Sequence, residues 1–198
     1  MEKRTCYLFV FNGFADWEPA HVTTTLSQYS GFDILTFSVD GKAVCSMGNL
    51  NVQPELSLAE VTDKKIDLLL LPGGTIWEQD GNGEIIPLVQ RCFEAGVTVA
   101  AICGATLSLA RAGVFDEVKH TSNGLDYLKK QVPAYGNEKD YLNQPAVADN
   151  NVITANGAAM LEFSYEVFKH FNAFPEKDLN FWFKLYKSAG MEYGVHGS

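Results

Sequence analysis

The chain has 198 residues, 46% of them hydrophobic and 20% charged, ordinary proportions for a globular protein with room for one well-buried core. Its 24 acidic residues against 15 basic ones give a net charge of −9, a balance that repels phosphate backbones and anionic lipid and argues against nucleic-acid and membrane partners. Four cysteines (Cys6, Cys45, Cys92 and Cys103) show no paired spacing, so the expectation is free thiols in a reducing cytoplasm rather than a disulfide framework.

Lys3 and Arg4 precede an apolar run, Cys6 to Phe11, that is too short for a signal peptide, and no run in the chain approaches a membrane span. That run is continuous rather than alternating, the pattern of a strand buried on both faces. Asn12-Gly13 breaks it. Asp16-Trp17-Glu18-Pro19 then predicts a helix start with acids in its first turn, and Val22, Leu26 and Tyr29 keep helical spacing up to Ser30-Gly31. Phe32 to Val39 reads as a second strand, Asp40 to Pro54 as an irregular or short hairpin excursion, and Ser57 to Glu60 as a capping box. Asp67 to Leu71 is a third buried strand, cut off by Pro72-Gly73-Gly74. Ile85, Val89 and Cys92 share a helical face, joined by Ile86 and Phe93, before Gly96 ends the helix.

The next strand, Val97 to Ile102, stops at Cys103, and Gly104-Ala105 leads into a helical pattern of small residues. A reactive side chain on a strand-to-helix turn needs small neighbours, and a helix N-terminus favours thiolate, so this spacing predicts a nucleophile elbow. The competing reading is a small buried hydrophobe that ends a core strand. Beyond the elbow come a β segment near Val118, a short helix from Leu125 to Val132, and a hairpin turning at Asp149-Asn150-Asn151. Phe163, Val167, Phe168 and Phe171 mark another helix, and Leu179, Trp182, Phe183 and Tyr186 a last amphipathic one at about 176–188. Phe181 and Leu185 lie off that face, which fits either a partner subunit or packing on the core. With no repeat and no linker, residues 1–198 read as one domain.

Buried strands alternating with helices predict a mostly parallel sheet covered on both sides, and such sheets bind ligands at the carboxyl ends of their strands. Glu18, Gly73-Gly74 and Cys103 all fall at that edge. If Glu18 faces Cys103, a protonated carboxyl donating to a thiolate would lower the apparent cysteine pKa and raise that of Glu18. The N–H groups of Gly73, Gly74 and Gly104 are candidates to hold an oxyanion, against the alternative of a plain tight turn. Of the four histidines, His196 lies in the polar tail, His170 reads as solvated and His21 as a surface residue, leaving His120 as the best candidate for a general base. The pocket wall is expected from Asn12 to Trp17, Thr75 to Asp80 and residues near Asn123. No spacing predicts a metal site or a nucleotide cofactor.

Glu18, Leu71-Pro72-Gly73-Gly74 and Ala100-Ala101-Ile102-Cys103-Gly104-Ala105 together resemble the ThiJ/PfpI superfamily, of the class I glutamine amidotransferase-like fold, from the first strand to about Phe171. The resemblance implies a flavodoxin-like three-layer α/β/α sandwich, a cysteine on the elbow with a Glu near it, and a homodimer. It also implies a cysteine-dependent hydrolase or lyase acting on an amide, a peptide or an α-oxoaldehyde, as peptidases, glyoxalases and deglycases do. Other members act as redox sensors or chaperones in stress responses, a role Cys103 could fill through oxidation without any histidine. The sequence departs from the pattern at three points. PfpI-type peptidases carry His directly after the nucleophile, where this chain has Gly104. Glyoxalase-type members place a His near Asn123. Glutamine amidotransferases end their triad with a late His-x-Glu, where this chain has Met160-Leu161-Glu162, which disfavours that activity.

Overall fold

The computed structural model describes residues 3–193, and His196 lies outside them. The chain runs β1 (Arg4–Phe9), α1 (Ala20–Tyr29), β2 (Phe32–Ser38), β3 (Val44–Cys45), β4 (Asn51–Val52), β5 (Leu56–Ser57), α2 (Leu58–Thr62) and β6 (Leu68–Leu71). It continues through α3 (Ile86–Glu94), β7 (Thr98–Ile102), α4 (Thr106–Arg111), α5 (Leu125–Gln131), β8 (Ala146–Asp149), β9 (Val152–Ala155), α6 (Met160–His170) and α7 (Glu176–Lys187). Seven strands form one sheet in the order β5-β2-β1-β6-β7-β9-β8. All neighbours pair in parallel except β8, which runs antiparallel along β9 at the edge.

The central strands carry no polar face because both faces are covered. Leu68 to Leu71 and Val99 to Ile102 are fully buried. On one side α1 packs against α6, which in turn holds α7; on the other, α3 packs against α4 and β7. This is the flavodoxin-like α/β sandwich. Its connections leave β1 in opposite directions, to β2 on one side and β6 on the other, so a topological switch point lies between β1 and β6. The turns after β1, β6, β7 and β9 all open at this end of the sheet.

Two sequence readings are corrected here. Glu18 does not lie in the first turn of α1: Pro19 caps that helix, and Glu18 precedes it in the turn after β1, its N–H bonded to Ala15 O at 3.2 Å. The expected β segment near Val118 is a single bridge, His120 with Tyr141. It stays extended without joining the sheet because β9 already occupies the flank of β7.

The hairpin of β3 and β4 has a bracing role. Cys45 N–H donates to Asn12 Oδ1 at 2.9 Å, Gly13 N–H to Cys45 O at 2.7 Å and Met47 N–H to Phe14 O at 2.9 Å. Asp16 accepts from Ser46 Oγ and from Gly48 N–H. The turn carrying Glu18 is thereby held against the body of the protein.

Candidate active site

Cys103 ends β7 and opens a single 3-10 turn, Cys103–Ala105, that runs into α4. Its φ is +59°, a left-handed conformation that costs a side-chain-bearing residue about 1–3 kcal/mol. Such a turn lifts the thiol off the sheet, and it holds because its surroundings are bonded tightly. Thr106 Oγ1 donates to Cys103 O at 2.7 Å and meets Ser122 Oγ at 2.7 Å. Beneath the turn, Trp77 is buried, bonded through Nε1 to Pro72 O at 3.0 Å, and packed on Phe9 and Phe11. Gly104 sits in close quarters: a Cβ there would lie 3.0 Å from Gly74 O and 3.2 Å from the Trp77 side chain, so a neighbour would have to give by a few tenths of an ångström.

Glu18 is 2% exposed, and its Oε2 accepts the Gly73 N–H at 2.6 Å. The carboxyl also lies within hydrogen-bonding reach of the Cys103 thiol. Burial pushes its pKa up to about 7, against the opposing pull of the Gly73 N–H and the thiol. Burial likewise raises the Cys103 thiol, the Glu18 charge raises it further, and the Asn123 amide and Gly104 N–H oppose both. The expected lowering of the cysteine pKa therefore does not follow. Two anions cannot coexist in so dry a place, so the pair keeps one shared proton from about pH 7 into the alkaline range.

Gly73 meets this pair from below. A Cβ on it would fall 2.6 Å from Cys103 Cβ and 2.8 Å from Glu18 Oε2. Because its N–H is committed to Glu18, Gly73 is not free to hold an oxyanion, contrary to the expectation from sequence. Gly74 lies with φ +159°, where a Cβ would meet the Phe11 ring at 2.7 Å and Gly13 O at 2.8 Å. The Gly104 N–H helps offset the rise in the thiol's pKa.

The sulfur has two further neighbours. Asn123 Nδ2 donates to Cys103 Sγ at 3.4 Å, and Asn123 Oδ1 accepts the Gly157 N–H at 2.9 Å. A Cβ on Gly157 would lie 2.7 Å from Sγ. Both residues also line a cavity of about 580 Å³, with Tyr141, Asn143, Gln144 and Asn156 among its walls and no charged side chain. Cys103 itself is not among the residues that line this cavity, which adjoins the elbow through Asn123 and Gly157. The contribution of Gly157 was legible in principle: β9 is parallel to β7, so Asn156-Gly157 leaves the sheet at the same edge as Cys103.

His120 is not brought to Cys103. It is fully buried, stacked on Phe115 with centroids 3.9 Å apart, and both ring nitrogens are engaged, Nδ1 with Val118 O at 2.8 Å and Nε2 with Tyr135 Oη at 2.7 Å. Burial lowers its pKa, which favours the neutral ring. The other described histidines are structural in the same sense. His21 packs edge-on against Trp182 and Tyr186, and His170 Nε2 bonds Thr98 Oγ1 at 2.9 Å rather than standing in solvent. Glu162 pairs with Lys187 at 2.5 Å, away from any amidotransferase-like triad. Among the described residues, no group of three His, Cys, Asp or Glu side chains is disposed to hold a metal ion.

The family model for DJ-1/PfpI matches residues 4–170. The chain belongs to the DJ-1/PfpI family. Within it, this DJ-1/PfpI chain is 39% identical over 200 residues to the protein named "Uncharacterized protease YoaZ" of Bacillus subtilis, covering 98% of this chain and 95% of that one. The crystal structure of a thiJ/pfpI family protein from Bacillus anthracis superposes with a TM-score of 0.89 at 38% identity, covering 98% of this chain and 94% of that one. More distant is "Deglycase PfpI" of Pyrococcus furiosus, 26% identical over 137 residues, with 64% of this chain and 82% of that one covered. Among the described residues of this DJ-1/PfpI protein, no helix is long and apolar enough to cross a membrane.

Proposed function

We propose that the protein is a cysteine-dependent hydrolase or lyase, with Cys103 as nucleophile toward the carbonyl of an amide, a peptide or an α-oxoaldehyde. One observation carries this reading: the strained elbow at Cys103 holds its sulfur against Glu18, a titratable partner whose pKa is brought to about 7. A group titrating near neutrality is suited to give and take protons. Asn123 stands where a histidine would serve in glyoxalase-type relatives, and an amide cannot titrate. Proton transfer therefore falls to Glu18.

For an amide, the steps balance as follows. Cys103 thiolate attacks the carbonyl while protonated Glu18 holds its proton, and the Gly74 and Gly104 N–H groups receive the oxyanion. The C–N bond breaks as Glu18 protonates the departing amine, leaving a thioester. Water then attacks the thioester, its proton returning to Glu18 and the thiolate leaving. The names protease and deglycase among its relatives support a carbonyl substrate of this general kind.

A second reading rests on the same residues. With no histidine at the sulfur among the described residues, Cys103 could serve as a redox-sensing thiol whose sulfinate is held by Glu18, Asn123 and Gly104. Assays of wild type, Cys103→Ala and Glu18→Gln against peptides and methylglyoxal, with intact-mass analysis after mild peroxide, separate the two. Turnover lost in both variants supports the enzyme; clean sulfinate formation without turnover supports the sensor. A homodimer in the cytoplasm completes the proposal, supported by the exposed aromatic side chains Tyr29 of α1 and Tyr186 of α7.

A further inference from the structure

The peptide group that follows Cys103 has two ends with different tasks. Its N–H, on Gly104, is one of the two donors assigned above to the oxyanion, and the N–H groups that open a helical turn have no partner within it. Its C=O, on Cys103, is held by Thr106, whose Oγ1 donates to it at 2.7 Å. The peptide is trans and planar, so its C=O and N–H point in opposite directions. Whatever fixes the Cys103 carbonyl therefore fixes the direction of the Gly104 N–H.

Thr106 is held in turn by Ser122, their hydroxyl oxygens lying 2.7 Å apart. The Thr106 hydroxyl has one hydrogen, and the Cys103 carbonyl can only accept, so that hydrogen goes to the carbonyl and Ser122 donates to Thr106. Thr106 is fully buried and Ser122 is 2% exposed, which keeps water from competing for either bond. The segment carrying Ser122 is itself anchored away from the elbow: Thr121 N–H donates to Thr154 Oγ1 of β9 at 2.9 Å, and Thr121 Oγ1 to Gln144 O at 2.9 Å. The series Ser122, Thr106, Cys103 O thus runs from an anchored segment into the strained turn. It ends on the backbone of the elbow, not on the sulfur.

We propose that Thr106 and Ser122 are positioning residues that orient the Gly104 N–H toward the oxyanion formed when Cys103 attacks a carbonyl. This rests on the reading of Cys103 as a nucleophile. Attack on a carbonyl carbon places negative charge on its oxygen, where a well-aimed donor stabilises the transition state. Displacement of iodide from an alkyl carbon places no charge on oxygen and needs no donor there. Two reagents that consume the same thiolate therefore separate the aim of the donor from the ionisation of the thiol.

The test compares two rates at Cys103, read by peptide mass in the full chain and in folded variants checked by circular dichroism. With p-nitrophenyl acetate the sulfur–carbonyl bond forms, the ester C–O bond breaks and p-nitrophenolate leaves with the electron pair, giving an acetyl thioester. With iodoacetamide the sulfur–carbon bond forms and iodide leaves. Ser122→Ala and Thr106→Val should each lower the ratio of acylation to alkylation by about three- to tenfold, the worth of one net hydrogen bond. Thr106→Ser, which keeps the hydroxyl, should hold the wild-type ratio. A wild-type ratio in either Ser122→Ala or Thr106→Val would overturn the proposal, as would a Thr106→Ser ratio as low as that of Thr106→Val. A merely structural loss would slow both reactions alike and leave the ratio unchanged. If p-nitrophenyl acetate does not acylate wild-type Cys103, the nucleophile reading fails and this inference with it; acylation with an unchanged ratio removes the positioning role alone.

Discussion

The Glu18 carboxyl is bound on one side by the Gly73 N–H at 2.6 Å and faces the Cys103 thiol on another, with 2% of its surface exposed. Its folded-state pKa, about 7, lies above the ordinary 4.5. Between those values the folded protein holds a proton that the unfolded chain has released. The contribution of Glu18 is therefore fully present below pH 4.5 and lost as pH rises through 7. Glu18→Gln keeps an acceptor for Gly73 and cannot ionise, so it should be more stable than wild type at pH 8, by an amount of the order of 1–3 kcal/mol, and similar to it at acid pH. Thermal melts across that range check this; a gap that does not change with pH would refute it.

The shared proton also predicts a two-step alkylation profile. Wild-type Cys103 should gain reactivity once through about pH 7, as the pair loses its first proton, and again in the alkaline range. Glu18→Gln should show a single step. Rapid-quench alkylation with mass readout distinguishes the two shapes.

The left-handed backbone at Cys103 predicts an asymmetry between two substitutions that both delete the thiol. Cys103→Gly relieves the strain at φ +59°, whereas Cys103→Ala retains it. The Gly variant should be more stable by about 1 kcal/mol, although glycine ordinarily destabilises. Denaturant unfolding of the pair measures the difference, and an Ala variant equal to or more stable than Gly would show the turn to be unstrained.

His120→Ala should behave as a core mutation. It removes a ring stacked at 3.9 Å on Phe115 and two hydrogen bonds, so a loss of about 3 kcal/mol is expected. Cys103 alkylation, measured under folding conditions, should stay within about twofold of wild type, since catalytic proton transfer would be worth 100-fold or more.

The cavity that adjoins the elbow through Asn123 and Gly157 has amide walls and no charged side chain. If a substrate bound at Cys103 extends into it, a carboxylate or phosphate there would meet no cationic partner, so neutral carbonyl compounds should be favoured. Protection of Cys103 from alkylation by an uncharged peptide amide, compared with the same peptide bearing a carboxylate near the carbonyl, tests this; equal protection would count against it.

The central strands were legible in the sequence because burial on both faces leaves a simple mark, as in Leu68 to Leu71. So was their shared edge: a parallel sheet forces the turns after β1, β6 and β7 to one end, which is why Glu18, Gly73 and Cys103 could be grouped without coordinates. What the pattern could not supply was contact between side chains from separate loops. Asn123 and Gly157 meet at the sulfur from turns 34 residues apart, and neither carries a charge or an apolar face to announce itself. His120 misled for the converse reason. A chemically versatile side chain drew attention, yet Phe115 takes its ring into the core, and Val118 O and Tyr135 Oη engage its two nitrogens.

The packing under Gly104 bears on how this lineage can change. A histidine directly after the nucleophile, the arrangement of PfpI-type peptidases, would begin with a Cβ wedged between Gly74 O and the buried Trp77 indole. To admit it, the Gly74 carbonyl or the Trp77 indole would have to give by a few tenths of an ångström, and any shift of the indole is felt by Phe9 and Phe11, which pack on it. The indole thus sets a steric toll on placing an imidazole next to the elbow.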